Sequence, residues 1–244
     1  MSAERRVKIY ADGADLAAMR RLAGEPLIQG FTTNPTLMRQ AGVRDYESFA
    51  RDVLDSVSGR PVSFEVFADD LATMERQALT IAGWGPNVYV KIPVTNTRGV
   101  STAPLLRSLA AQGVRVNVTA LMTLEQVEAC TDALREASAA CISVFAGRIA
   151  DTWRDPLPVM EAALGIMRPY PQLELIWASP RELLNIHQAD VLGCHIITVT
   201  PDLLKKLNLV DKDLDEYSLE TVRMFHDDAQ KAGLSLRVPD LATA

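Results

Sequence analysis

The sequence predicts an α/β fold, a (β/α)₈ barrel with an extra C-terminal helix, and three observations carry that expectation. Eight short runs rich in β-branched residues alternate with longer amphipathic stretches. Several of those stretches close on a glycine just before the next run, at Gly24, Gly59, Gly83, Gly113 and Gly193, where a left-handed backbone ends a helix. The chain has 244 residues, a length at which α/β barrels often form one unit of about 250 residues.

Taken in order, VKIYAD opens the first strand at 7–12, and LAAMRRLAG follows with apolar residues three and four apart. LIQGFTT at 27–33 runs into Asn34-Pro35. Pro35 drives Asn34 out of the α region and itself suits the first position of a following helix. YESFARDVLDSVSG leads to PVSFEVFA (61–68), and LATMERQALTIAG leads to VYVKIPV (88–94). APLLRSLAAQG, LEQVEACTDALREA and PLPVMEAALGIMRPY then separate the strands at 114–120, 140–146 and 173–179. PRELLNIHQADVLG precedes the eighth strand at 194–200. Strand, helix, strand at this cadence means right-handed parallel crossovers, and eight of them close most simply into a barrel. The rival is an open doubly wound sheet, which would usually carry a glycine-rich turn after its first strand. That turn reads ADGAD here. After strand eight come PDLLKKLNL, an acidic stretch DKDLDEY, and a ninth helix at about 218–232 outside the repeat. No linker or low-complexity segment interrupts 1–244, so a single domain is expected.

Composition narrows the function classes. A formal charge of -6 and a pI near 5.2 argue against nucleic acid or an anionic membrane as partner, since both want a basic face. Three cysteines, Cys130, Cys141 and Cys194, with no CxxC spacing argue against a disulfide framework or structural zinc. The charged opening MSAERRVKIYADGAD lacks the apolar core of a signal peptide, so a cytoplasmic protein is expected. No apolar run approaches the ~20 residues of a membrane span.

In barrels the chemistry sits at the C-terminal strand ends. Those ends carry Asp12, Thr32, Thr33, Asn34, Glu65, Lys91, Asn117, Thr119, Ser143, Phe145, Arg148, Ser179 and Arg181. Lys91 is the sharpest of them. It shares a strand face with Tyr89 and Pro93, opposite Val88, Val90, Ile92 and Val94. A lysine there must be paired or neutral, and a neutral amine attacks carbonyls to form a Schiff base. The alternative is a lysine paired with an interior carboxylate. Glu65 could be that partner, or a general base that handles water. Asp12 could cap the next helix, with Asp15 as rival cap, or shuttle the proton of a substrate hydroxyl. A carboxylate-only magnesium site is a further option, while no histidine stands at a strand end to join a metal. His187 and His226 read as surface residues, and His195 as a residue of the barrel bottom. Trp84, Trp153 and Trp177 read as core or interface.

Together, GFTTNPTL (30–37), VYVKIPVT (88–95), VNVTALMT (116–123), SVFAGRIAD (143–151), WASPRE (177–182) and ITVTPDLLKKL (197–207) resemble the transaldolase and fructose-6-phosphate aldolase family of class I aldolases. The segments span nearly the whole chain in the family's order. The resemblance implies a Schiff-base lysine at Lys91, an acid/base aspartate at Asp12, and a catalytic water held by Thr119 and Glu65. It implies donor contacts from Thr33, Asn34, Asn117 and Ser143. It places phosphate binding on Arg148 and Arg181, with Ser179 beside them. Glu65 and Phe145 look like the transaldolase branch, where aldolase members tend to carry Gln and Tyr. WASPRE departs from the family pattern by lacking the residues usual between its Ser and Arg.

The same resemblance implies a transferase of carbohydrate metabolism, of the pentose phosphate pathway type. It would move a dihydroxyacetone unit from fructose 6-phosphate or sedoheptulose 7-phosphate to an aldose acceptor, with no cofactor and no metal. The alternatives are simple aldol cleavage, a transaldolase specialised for a sulfosugar or antibiotic sugar, and, outside the class, a metal-dependent or non-catalytic barrel. The expected partners are sugar phosphates, with no nucleic acid and no membrane. The compact members resembled here are ring-type oligomers, often decamers, so a homo-oligomer is expected, with Leu219, Val222, Met224 and Phe225 of the last helix as its apolar stripe.

Overall fold

A computed structural model describes residues 6–57 and 59–236. Its first unit, up to Leu204, is a closed barrel of eight parallel strands in the order β1 to β8, with β8 paired back to β1. The strands are β1 (Lys8–Asp12), β2 (Ile28–Thr32), β3 (Val62–Glu65), β4 (Val88–Pro93), β5 (Val116–Leu121), β6 (Ala140–Val144), β7 (Leu173–Trp177) and β8 (Ile196–Val199). Each of the eight expected runs forms its strand, shortened by a residue or more at an end. The connections are α1 (Leu16–Ala23), α2 (Pro35–Gln40), α3 (Tyr46–Ser56), α4 (Leu71–Ala82), α5 (Ala103–Ala111) and α6 (Leu124–Leu134). After them come α7 (Ala146–Ala150), α8 (Leu157–Met167), α9 (Leu184–Leu192) and α10 (Pro201–Leu204).

The pleat decides which side chains meet. Val88, Val90 and Ile92 of β4, like Val116 and Val118 of β5, turn to one side and are buried. The alternate positions turn to the other. There Tyr10, Cys141, Ile176, Ala178 and Ile196 form an apolar cluster, flanked by Tyr89 and Phe145. Asp12, Lys91 and Ser143 stand on the same strand faces as Tyr10, Tyr89 and Cys141, two residues further toward the C-terminal ends. The apolar cluster therefore floors the polar mouth. Tyr10 fits because β2 carries Gly30 opposite it. A Cβ on Gly30 would lie 2.6 Å from the Tyr10 ring.

Helix ends follow local chemistry. Asp15, Asp45 and Asp70 accept from backbone N–H groups of α1, α3 and α4, and Thr123 and Gln126 form a capping box at α6. Of the five closing glycines, Gly59, Gly113 and Gly193 have positive φ of 76°, 76° and 81°. Gly24 and Gly83 do not: they stay right-handed at φ -79° and -72°. Their N–H groups reach back to Arg21 and to Leu79 and Thr80, so the spiral simply runs on by one residue. The short helix α7 is not legible as a separate element in the sequence pattern.

The second unit begins at Lys205. It contains a 3₁₀ turn (Lys205–Leu209) and α11 (Leu214–Lys231). α11 starts four residues earlier than the apolar pattern suggests. Asp213 accepts from the Glu216 N–H, and Asp215 and Glu216 sit in the first turn, where negative charge suits the helix dipole. The acidic stretch is thus the helix start. Leu219, Val222, Met224 and Phe225 are exposed. Among the described residues no helix is long and apolar enough to cross a membrane.

Candidate active site

Strand register assembles the centre. Glu65 on β3 is the pairing partner of Lys91 on β4, and Lys91 in turn pairs with Asn117 on β5. Lys91 is 7% exposed. Its Nζ donates to the Thr33 carbonyl at 3.0 Å and lies 3.5 Å from Glu65 Oε2. The lysine is thus paired, as the simpler sequence reading allowed, yet it is held by one carbonyl and one long ion pair.

Both carboxylates are held above their ordinary range. For Asp12 the cause is burial, opposed by Lys91 and by the Thr32 hydroxyl, which donates to Asp12 Oδ1 at 2.8 Å. For Glu65 burial again dominates, opposed by Lys91, while Asp12 adds to the rise. Asp12 does not cap α1; Asp15 does. Two largely buried acids, each still partly open at the mouth, and one buried amine therefore share a proton-exchange neighbourhood.

Thr119 on β5 is buried, and its hydroxyl is one of three buried side-chain atoms among the described residues without a hydrogen-bond partner. Such a group costs free energy unless water or ligand satisfies it. Asn117 is fully buried and doubly engaged: its Nδ2 donates to Ser63 Oγ at 2.9 Å and its Oδ1 accepts from Ser143 Oγ at 2.7 Å. Thr33 donates through its hydroxyl to the Ser63 carbonyl at 3.0 Å. Asn34 has extended backbone and caps α2, its Oδ1 accepting from the Leu37 N–H at 3.0 Å, with Pro35 at the first helical position. Its amide NH₂ is not used in that cap.

The remaining sequence-predicted residues lie past β6 and β7. Phe145 precedes α7, and the Arg148 guanidinium carbon sits 5.5 Å from its ring centroid. Ser179 has a left-handed backbone, φ 60°, and its Oγ accepts from Arg181 Nη1 at 3.1 Å. Arg181 is also ion-paired with Asp151, which holds the Asp151 carboxyl below its usual range. Thus a left-handed Ser179 turns the segment that leads to Arg181. Gly147 makes room for it: a Cβ there would fall 1.6 Å from the Ser179 carbonyl oxygen.

Sequence reasoning missed Ser63, Gly147 and Asp151. Asp151 and Gly147 stand within SVFAGRIAD, so a signal existed; Ser63 shows only through its contacts. His195 is half-buried and accepts from the Leu175 N–H, and His187 and His226 are exposed. Trp177 is buried and Trp84 packs in an aromatic cluster with Tyr46 and Phe64. Trp153 is 98% exposed, which excludes a core role. Among the described residues no three His, Cys, Asp or Glu side chains are placed to hold a metal ion.

Comparison with known proteins gives a consistent result. The family profile described as Transaldolase/Fructose-6-phosphate aldolase matches residues 9–236. A protein of Rhodospirillum centenum named "Probable transaldolase" is 34% identical over 216 residues, covering 86% of this chain and 89% of the relative. One of the same name from Thermoanaerobacter sp. is 32% identical, covering 94% of this chain and all of the relative. The crystal structure of KGPDC from Streptococcus mutans shares the fold, with a TM-score of 0.57 at 9% identity over 84% of this chain and 92% of that one.

Proposed function

The chain belongs to the transaldolase/fructose-6-phosphate aldolase family, and from that premise we propose that it is a transaldolase working through a Schiff base on Lys91. The observation that carries the reading is the buried Lys91 amine, 3.5 Å from a carboxylate that burial holds above its ordinary range. An amine must shed its proton before it attacks a ketone, and Glu65 is placed to take it.

Lys91 Nζ adds to the carbonyl carbon of fructose 6-phosphate or sedoheptulose 7-phosphate, giving a carbinolamine. Its hydroxyl leaves as water with a proton from Glu65, and the partnerless Thr119 hydroxyl offers that water a hydrogen bond. Asp12 then takes the proton from the hydroxyl next to the bond that breaks. The bond electrons pass into the protonated imine, an aldose phosphate departs, and a three-carbon enamine stays on Lys91. An acceptor aldehyde enters and the steps reverse. The Asn34 NH₂ and the Ser143–Asn117 pair meet the donor hydroxyls, Thr33 steadies Lys91, and Arg148 and Arg181, beside Ser179, hold the phosphate by charge-assisted hydrogen bonds. Phe145 brings no hydroxyl to the enamine, which favours transfer over protonation. The imine is itself the electron sink, so the scheme uses neither metal nor cofactor. We place the enzyme in the cytoplasm, as a homo-oligomer of single-domain subunits.

Borohydride with fructose 6-phosphate tests the scheme. It should fix an adduct on Lys91, and none should form in Lys91→Met. Labelling at Lys8, Lys205 or Lys206 instead would overturn the assignment. Donor consumption that needs an acceptor aldehyde separates transfer from simple aldol cleavage.

A further inference from the structure

Arg181 is exposed, yet its guanidinium is committed. Nε donates to Asp151 Oδ1 at 2.9 Å, Nη2 donates to Asp151 Oδ2, and Nη1 donates to Ser179 Oγ at 3.1 Å. An arginine has five N–H groups. Three are engaged here, which leaves two, one on each terminal nitrogen. The Arg181 backbone is anchored as well, its N–H donating to Asn185 Oδ1 at 2.8 Å.

Asp151 comes from a different element. It is the C-terminal cap of α7, the helix that carries Arg148. The pair therefore ties the segment after β7 to the segment after β6, and it fixes the position of one arginine relative to the other. Asp151 and Arg181 keep 52% and 45% of their side-chain surface exposed, and ion pairs so open to water add little to stability. A two-point clasp does something else: it sets the plane and roll of the guanidinium.

We propose that Asp151 is a positioning residue of the anion subsite: by clasping one edge of Arg181 it fixes which two N–H groups meet the terminal phosphate of the sugar, and so sets affinity for phosphorylated substrates without touching them. This rests on the assignment of Arg181 to phosphate under the proposed function. Two effects of opposite sign make it testable. The Asp151 charge repels a phosphate, so if repulsion were its main effect, removing the charge would tighten binding. If positioning dominates, removal frees Arg181, which must then be ordered anew at each binding event. Immobilising one long side chain weakens binding by about two- to tenfold.

Asp151→Asn separates the two. Its carbonyl still accepts from Nε, but its NH₂ faces Nη2, donor against donor, so the clasp opens as the charge disappears. Inorganic phosphate is titrated calorimetrically into the full-length protein, Asp151→Asn, Arg181→Ala and the double variant, and kinetics are run with fructose 6-phosphate and with dihydroxyacetone. Phosphate should bind Asp151→Asn about two- to tenfold more weakly, and KM for fructose 6-phosphate should rise by the same factor. The kcat value and the dihydroxyacetone kinetics should not change, which also shows that the variant is folded. On the Arg181→Ala background the Asn substitution should weaken binding no further. Equal or tighter phosphate binding by Asp151→Asn overturns the positioning role. If phosphate binds the unaltered protein and Arg181→Ala equally well, the subsite assignment fails first, and the inference falls with it.

Discussion

Replacing Gly147 with alanine tests how the anion subsite is built. The added Cβ would stand 1.6 Å from the Ser179 carbonyl oxygen, and real Cβ contacts do not fall below 3.0 Å. The two segments must therefore separate by about 1.4 Å. Neither can yield cheaply: Gly147 lies in the first turn of α7, and Ser179 already has φ 60°. Overpacking of this kind costs about 1–3 kcal/mol. For a chain of this size that is a fall in melting temperature of roughly 2–12 °C. Arg148 follows Gly147 directly and Arg181 follows Ser179 by two residues, so the shift also changes the spacing of the two guanidiniums. Misplacing a substrate-positioning group by about 1 Å can lower kcat/KM for the phosphorylated donor by up to about a hundredfold. Calorimetric melting, with kinetics on fructose 6-phosphate and dihydroxyacetone, measures both effects. The expected result is a lower melting temperature and a selective loss with the phosphorylated donor. A variant with unchanged melting and unchanged KM for fructose 6-phosphate would refute the geometry.

Thr119→Val removes a buried hydroxyl with no protein partner, so the variant should melt at the same temperature or higher while turnover falls; wild-type turnover would remove Thr119 from the mechanism. Asp12→Asn keeps an acceptor for the Thr32 hydroxyl but cannot ionise. Burial raises the folded pKa of Asp12, so its contribution to stability is complete below the unfolded value of about 3.9 and declines as pH rises through the folded value. Denaturant unfolding from pH 4 to 8 should thus show a shallower loss in the variant than in wild type, with activity down about 10²–10⁴-fold; an equal slope would contradict the raised pKa. Light scattering on the full chain and on a chain ending at Lys212 tests self-association through the α11 stripe, which is expected to lower the assembly mass on truncation; a full-length monomer at micromolar concentration would end that idea.

The strand-helix cadence was legible because period-two and period-3.6 patterns report local backbone geometry and face, which a sequence carries directly. Lys91 stood out for the same reason: a charge on a strand of valines is visible without coordinates, as are Asp12 and Glu65 at strand ends. Capping chemistry was legible only in part. Asp213 moved the start of α11 to Leu214, four residues ahead of the apolar pattern, and Gly24 and Gly83 kept a right-handed backbone because their N–H groups found carbonyls inside the helix. What tertiary structure alone decided was pairing across the barrel. Lys91 meets the Thr33 carbonyl 58 residues away, Asn117 bridges Ser63 and Ser143, and Asp151 clasps Arg181 across 30 residues. Such partners are set by strand register and by the angle at which a short helix docks on its neighbour. These are properties of the closed barrel as a whole, because a shift of one residue in any strand would turn every one of its side chains to the opposite face.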